Sequence, residues 1–262
     1  MRPICVTCGT QYEDEHPRSS CPVCQDERQW VRWEGQAWTD LTTLQAEYSA
    51  RIAEDHGVLG IDVTPHFAIG QRALLVETPA GNLLWDCVSL IDAEVIAAIE
   101  ARGGLVGIAI SHPHYYTTMA DWSDAFGGVP IHLHADDAGW VQRPHPSIRH
   151  WTGETLSPLP GLTLIRAGGH FEGATVLHRE EGRGDLFVGD VLQVCQDRRF
   201  VSFMRSYPNY IPLNTAAVRR IETALAPFRY ERIHGAFRER SVAQDGEAVV
   251  ARSVERYLAA IR

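Results

Sequence analysis

Leu105-Val-Gly-Ile-Ala-Ile110-Ser111-His112-Pro113-His114 is the stretch that decides the fold of this 262-residue chain. Its first six residues, all apolar or glycine, form a compact run suited to a strand buried on both faces. The run leads straight into a histidine pair, so rigid backbone would hold two imidazoles at the lip of a sheet. Alone, such a pair is only moderately informative. Three later clusters also follow predicted strands: Gly168-Gly169-His170, Gly189-Asp190 and His234-Gly235. Three histidines and one carboxylate converging on one point make a competent site for Zn²⁺ or a similar ion, with water able to fill an open position.

Outward from this stretch, strands are predicted over residues 66–69, 73–77 and 83–87, with Gly81-Asn82 as a turn, and a helix over 92–102 ended by Gly103-Gly104. Downstream, helices are predicted over 118–126, from Asp136, over 215–226 and over 244–261. Strands are predicted over 130–134, 162–166, 175–178, 186–188 and 229–233. Leu41, Leu44, Tyr48 and Ile52 recur at helical spacing and predict a connecting helix over 38–55, capped by Thr39 or Asp40. Layered sheets with helices outside, an α/β (α+β) class, are the expected outcome. The sequence has no solenoid-type repeat and no low-complexity segment.

The N-terminus reads Cys5-Val-Thr-Cys8-Gly9 and Cys21-Pro-Val-Cys24, with twelve residues between Cys8 and Cys21. Two Cys-x-x-Cys turns facing each other complete a tetrahedral sulfur site, so a zinc-ribbon-like knuckle is expected over residues 1–35, followed by the main domain over 36–262, with 36–58 as its connecting helix. Gly9 and Pro22 resemble rubredoxin and zinc-ribbon knuckles. Zinc is the expected ion, and iron accepts the same four thiolates.

With 45% hydrophobic and 22% charged residues, the composition is that of a folded globular protein. A formal net charge of −9 works against binding nucleic acid, because that affinity comes largely from Lys and Arg on phosphates. No apolar run approaches the roughly 18 residues of a membrane span, and the first twenty residues carry no signal-peptide pattern. The expectation is a cytoplasmic protein with a small-molecule substrate and no membrane or nucleic-acid partner; a homo-oligomer is left open.

His112-x-His114, Gly-His170, Asp190 at a strand end and the late His234 together resemble the pattern of the metallo-β-lactamase superfamily over roughly residues 60–262. Asn82-Leu-Leu-Trp-Asp86 is similar to the family strand that ends in a structural Asp. The resemblance implies an αββα sandwich with the site at one edge between the sheets. It also implies a first metal site of His112, His114 and His170, with Asp190 at or between two metal positions and His234 in the second. Where the family pattern continues with Asp and His, this chain has Tyr116 and Thr117. A phenol near pKa 10 is a poor ligand at neutral pH, so one tightly held ion is expected, with His234 a weak or second-site ligand. Tyr116 is then expected to donate to substrate or to an oxyanion, and Asp190 to hold the water.

Zinc in this site implies hydrolysis of a small ester, thioester, lactone or amide. Iron in the same site suits non-haem oxygen chemistry of the persulfide dioxygenase type, a second expectation. The third is a metal-stabilised binding module without catalysis. Tyr207 and Tyr210, in the aromatic and proline-rich stretch 203–212, are candidate substrate contacts, and Trp122, Trp140 and Trp151 are candidate cleft residues or core. His132-Leu-His134 with Asp136 and Asp137 imitates the metal motif but lacks downstream partners, so a structural reading is preferred. Cys87 and Cys195 read as inert thiols.

Overall fold

The computed structural model describes residues 1–16 and 18–262. Among these, two sheets pack face to face and helices cover their outer faces. The first sheet has seven strands in sequential order: β1 Ser49–Asp55, β2 Val58–Thr64, β3 Ala73–Val76, β4 Leu83–Trp85, β5 Gly107–Ala109, β6 Ile131–His134 and β7 Ile148–Trp151. Pairing is antiparallel from β1 to β4 and parallel from β4 to β7. The second sheet has six: β8 Thr155–Leu156, β9 Leu162–Arg166, β10 Thr175–Arg179, β11 Asp185–Phe187, β12 Arg232–His234 and β13 Ser241–Val242. Its one parallel pair is β11 with β12.

Alternation along the strands assigns each side chain to a layer. Leu74 and Val76 of β3 meet Leu162, Leu164, Leu177 and Phe187 between the sheets. Ala73 and Leu75, one residue out of phase, turn to the outer face and meet Val95 and Ile99 of α2 (Ala93–Glu100) and Met119 and Trp122 of α3 (Met119–Ala125). On the far side Ile165, Val176 and Leu186 meet Val218 and Ile221 of α4 (Thr215–Leu225) and Val250 and Val254 of α5 (Gly246–Ala260). Each fully buried Val, Leu, Ile or Phe contributes about 1.5–3 kcal/mol. Strands buried on both faces therefore read as continuous apolar runs. Side-chain caps set helix starts: Asp92 accepts from Val95 N and Asn214 from Ala217 N.

The helix expected over 38–55 is shorter. α1 spans Leu41–Glu47, capped by Asp40, and residues from Ser49 form β1 instead. A spacing of four, as between Tyr48 and Ile52, is even and fits the strand period as well as the helical one. His56 and Gly57, at φ 51° and 78°, make the tight turn joining β1 to β2. Residues 66–69, expected as a strand, form a turn after this hairpin. The helix expected from Asp136 is a short 3₁₀ segment, Ala135–Trp140. No helix among the described residues is long and apolar enough to cross a membrane.

At the N-terminus, Ile4–Cys5 pairs with Trp38–Thr39, and a one-turn helix, Pro22–Gln25, carries Cys24. This segment lies against the main body: Gln11 N donates to Thr117 O, 3.1 Å away.

Candidate metal centres

Three loops from both sheets build the main site. The first leaves β5 and carries His112 and His114 around a 3₁₀ turn, Pro113–Tyr115. Asp86, at φ 60°, aims its carboxylate at the start of that loop and accepts from Ser111 N at 2.7 Å. The second joins β9 to β10 and carries His170. The third follows β11, where Gly189 at φ 50° turns the chain into Asp190; a Cβ there would lie 2.4 Å from Ser111 Oγ, so only glycine fits. A backbone bond from Thr175 N to Ser111 O, 2.8 Å, locks the loop of the first sheet to the second.

His112, His114, His170 and Asp190 are all buried, and one ligand atom from each lies within 4.8 Å of the others. His112 Nε2 is 3.6 Å from Asp190 Oδ2, and His170 Nε2 is 3.2 Å from His114 Nδ1. Tetrahedral zinc with imidazole and carboxylate ligands spaces its ligand atoms about 3.3 Å apart, so the donor set fits. Nδ1 of His170 donates to Met204 O at 3.1 Å, which leaves its Nε2 lone pair facing the centre, and Ser111 Oγ holds His112 Nδ1 at 2.8 Å. His112 Nε2, His114 Nε2 and Asp190 Oδ1 are buried without a protein partner. Unpaired polar atoms in the interior are costly, and a cation with its bound water relieves that cost.

Burial, reinforced by the neighbouring imidazoles, pushes His114 well below the usual histidine range, and burial takes His170 down to about 3. Burial would raise Asp190, but its contact with His112 outweighs that and holds its carboxyl below the usual range. Neutral imidazoles beside a carboxylate are the protonation states that bind a metal.

The remaining expected residues stand outside this group of four. Nε2 of His234 is 3.4 Å from Asp185 Oδ1 and its ring stacks on Phe187 at 4.7 Å, so it stands outside the group of four. Tyr116 is buried, and the acidic group that bears on its hydroxyl is Asp137 rather than Asp190. The neighbouring Tyr115 is the phenol beside the histidine group. Its ring is 4.3 Å from that of His112, and its buried hydroxyl is directed at the Asp190 carboxylate. In the tight turn successive side chains rotate by about 120°, so one position of sequence decides which phenol faces inward. The Tyr207 hydroxyl is used internally, donating to Ser202 O at 2.9 Å, and its ring stands 6.0 Å from that of His170; Tyr210 is 83% exposed. Trp122 is bonded into the core through Val88 O and Trp151 lies between the sheets, whereas Trp140 meets Phe171 beside the site.

His134 in the imitating motif is satisfied internally, by Asp136 N and Gly153 O. Asp137 holds the His170 loop, accepting from Gly173 N at 2.9 Å, and burial raises its carboxyl to about 6. A folded-state pKa raised above the unfolded value means that the folded chain binds more protons between about pH 4 and 6, so this carboxyl subtracts stability as pH rises through that window. Asp137→Asn keeps the acceptor and removes the charge. Its urea-unfolding free energy relative to wild type is expected to improve by up to about 3 kcal/mol between pH 4 and pH 7.5; a pH-independent difference would contradict this.

The four cysteines form the second centre. Sγ atoms of Cys5 and Cys24 are 3.5 Å apart and those of Cys8 and Cys21 3.6 Å, close to the roughly 3.8 Å edge of a zinc–thiolate tetrahedron. Tyr12 Oη donates to Cys21 Sγ at 2.9 Å and Gln36 Nε2 to Cys5 Sγ at 3.2 Å, as thiolates require.

YmaE of Bacillus subtilis, an uncharacterised protein, is 42% identical over 265 residues, covering 98% of this chain and 96% of its own. The chain belongs to the YmaE family. No family model matches it. Its fold is that of the metallo-β-lactamases, as expected from the motif. VMB-1, at 14% identity, superposes with a TM-score of 0.62 over 82% of this chain and 99% of its own. The enzyme from Hirschia baltica does so with 0.59 at 17% identity, over 79% and 96%. FIM-1 of Pseudomonas aeruginosa in its mono-zinc form gives 0.56 at 16%, over 79% and 95%. At these identities the likeness speaks for the fold alone.

Proposed function

We propose that this YmaE-family chain is a mononuclear metallo-hydrolase of small carbonyl compounds, with His112, His114, His170 and Asp190 as its ligands. The observation that carries this is the convergence of four ligand atoms within 4.8 Å, from loops of both sheets, with further polar atoms left unpartnered. A bound Zn²⁺ lowers the pKa of its water to about 7 and polarises a carbonyl oxygen. The protein residues do the rest. Ser111 and Met204 O fix two imidazole planes, and burial excludes bulk water. Asp190 Oδ2 faces the centre while Oδ1 is free to accept a proton-bearing partner. Tyr115, rather than Tyr116, supplies the free phenolic donor for a developing oxyanion.

A single tightly held ion is favoured by two features: Tyr116 and Thr117 offer no ligand, and Nε2 of His234 is engaged by Asp185, which leaves only its Nδ1 for a weak second site. Phosphodiester cleavage, which usually exploits two ions, is disfavoured accordingly. Elemental analysis of protein purified without added metal, together with turnover of nitrophenyl esters, lactones and thioesters, tests this reading. Two zinc ions per chain with hydrolysis of at least one class is the expected result. Iron at the histidine site with oxygen uptake would replace it by the dioxygenase reading, and full metal loading without turnover by the binding-module reading.

A further inference from the structure

Arg28 follows the last cysteine of the knuckle by four residues, yet it is buried, 6% exposed, against the other metal centre. A buried guanidinium must place its donors, and this one divides them between the two centres. Nε and Nη2 donate to the two oxygens of Asp26 at 2.6 and 3.0 Å, and Nη1 donates to the backbone carbonyl of His170 at 3.2 Å. Its flat face lies 3.8 Å from the centroid of Phe171 and 5.2 Å from that of Trp140. Phe171 in turn stands 4.8 Å from the ring of His114 and 5.2 Å from that of His170. The guanidinium over the Phe171 ring and the two imidazoles set edge-on to that ring therefore form one packed group.

The knuckle fixes the other end of this arm. Asp26 N donates to Pro22 O at the end of the turn that carries Cys24, and Gln29 N donates to Asp26 O. Trp140 packs on the cysteine cluster as well as on Phe171. Ser206 Oγ donates to Arg28 O at 3.1 Å, and Asn209 Nδ2 to the carbonyls of Glu27 and Gln29 at 2.9 and 2.8 Å. Ser206 and Asn209 belong to the same segment as Met204, whose carbonyl orients His170 Nδ1. Both handles on His170, its own carbonyl and its Nδ1 bond, are thus tied to residues 26–29.

We propose that Arg28 is a positioning residue through which the four-cysteine knuckle sets the metal affinity of the histidine site. The loaded knuckle orders residues 26–29; Arg28 then holds His170 and the Phe171 ring where the imidazoles of His114 and His170 meet one ion. This rests on the ligand assignment proposed above. An empty knuckle frees the arm, and the histidine site weakens although none of its ligands has changed.

Cobalt(II) is the probe, because thiolate-bound cobalt shows an intense sulfur-to-metal charge-transfer band that a histidine and carboxylate site lacks. Each centre of the full chain can then be titrated against a competing chelator. Arg28→Met, which keeps the bulk of the stem, is expected to weaken the histidine site on the order of 10- to 100-fold and to leave the charge-transfer band unchanged. Cys24→Ser should weaken it similarly, and the double variant no further than the stronger single one, since both act through one arm. Affinity within twofold of wild type for Arg28→Met overturns the proposal, and so does additive loss in the double variant. Should the serine variant fail to fold, the methionine variant decides alone. A wild-type chain that takes up cobalt only with the thiolate signature would sink the hydrolase assignment itself, whereas uptake at both centres with an indifferent Arg28→Met sinks only the coupling.

Discussion

Replacing His170 with alanine is expected to abolish both ion binding at the histidine site and hydrolysis, while one metal per chain stays on the four cysteines. On the proposed assignment His170 is a ligand whose Nε2 lone pair is aimed by the bond from Nδ1 to Met204 O. A bound metal would contribute several kcal/mol of transition-state stabilisation, and at about 1.4 kcal/mol per tenfold its loss is expected to lower the rate by on the order of 10³-fold or more. Elemental analysis beside steady-state kinetics reads both effects. His134→Ala is the control: its ring bonds Gly153 O and Asp136 N, so the variant should lose some stability but keep full stoichiometry. Turnover that survives in His170→Ala would show that the chemistry resides elsewhere.

The second large effect is on stability. Asp185 is fully buried at the start of β11, where it accepts from Arg179 and Arg232 and faces His234. Burial alone would raise its carboxyl, but bonds from His234, Arg232 and Arg179 outweigh it and hold the group well below the usual range. Asp185→Ala leaves the buried Arg179 with only the exposed Glu181, 3.9 Å away, as counter-charge. A loss of about 3–5 kcal/mol is expected, or a fall in Tm on the order of 10 °C. The sign of the pH dependence follows from the depressed pKa: the wild-type contribution is complete above the unfolded value near 4 and is lost as pH falls below it. Calorimetry of both proteins from pH 7 to pH 3.5 should show the gap narrowing on acidification. A variant as stable as wild type at pH 7 would mean that Asp185 is dispensable to the second sheet.

The two centres were legible in the sequence because their chemistry is local. Each ligand stands directly after an apolar strand or inside a Cys-x-x-Cys turn, and such positions can be read without knowing the path between them. Residues that act across the fold were not legible. Arg28 lies 142 positions from the carbonyl it holds, and an arginine near a knuckle carries no mark of burial. Tyr115 and Tyr116 differ only in direction around a turn. The β1–β2 hairpin was missed because Leu41 and Leu44 do continue a helical spacing into Tyr48 and Ile52, while the turn that breaks it needs His56 in a left-handed conformation, which histidine seldom advertises.

The seam between the sheets, where Thr175 N bonds Ser111 O, has a bearing on how the protein is made. His112 and His114 belong to the sheet that is synthesised first, and His170 and Asp190 to the one that follows. A nascent chain thus offers two imidazoles at most until its later half has emerged and docked. On the proposed assignment the choice of ion at this centre therefore waits for the finished fold, whereas the four cysteines, all within residues 5–24, are synthesised ahead of either sheet.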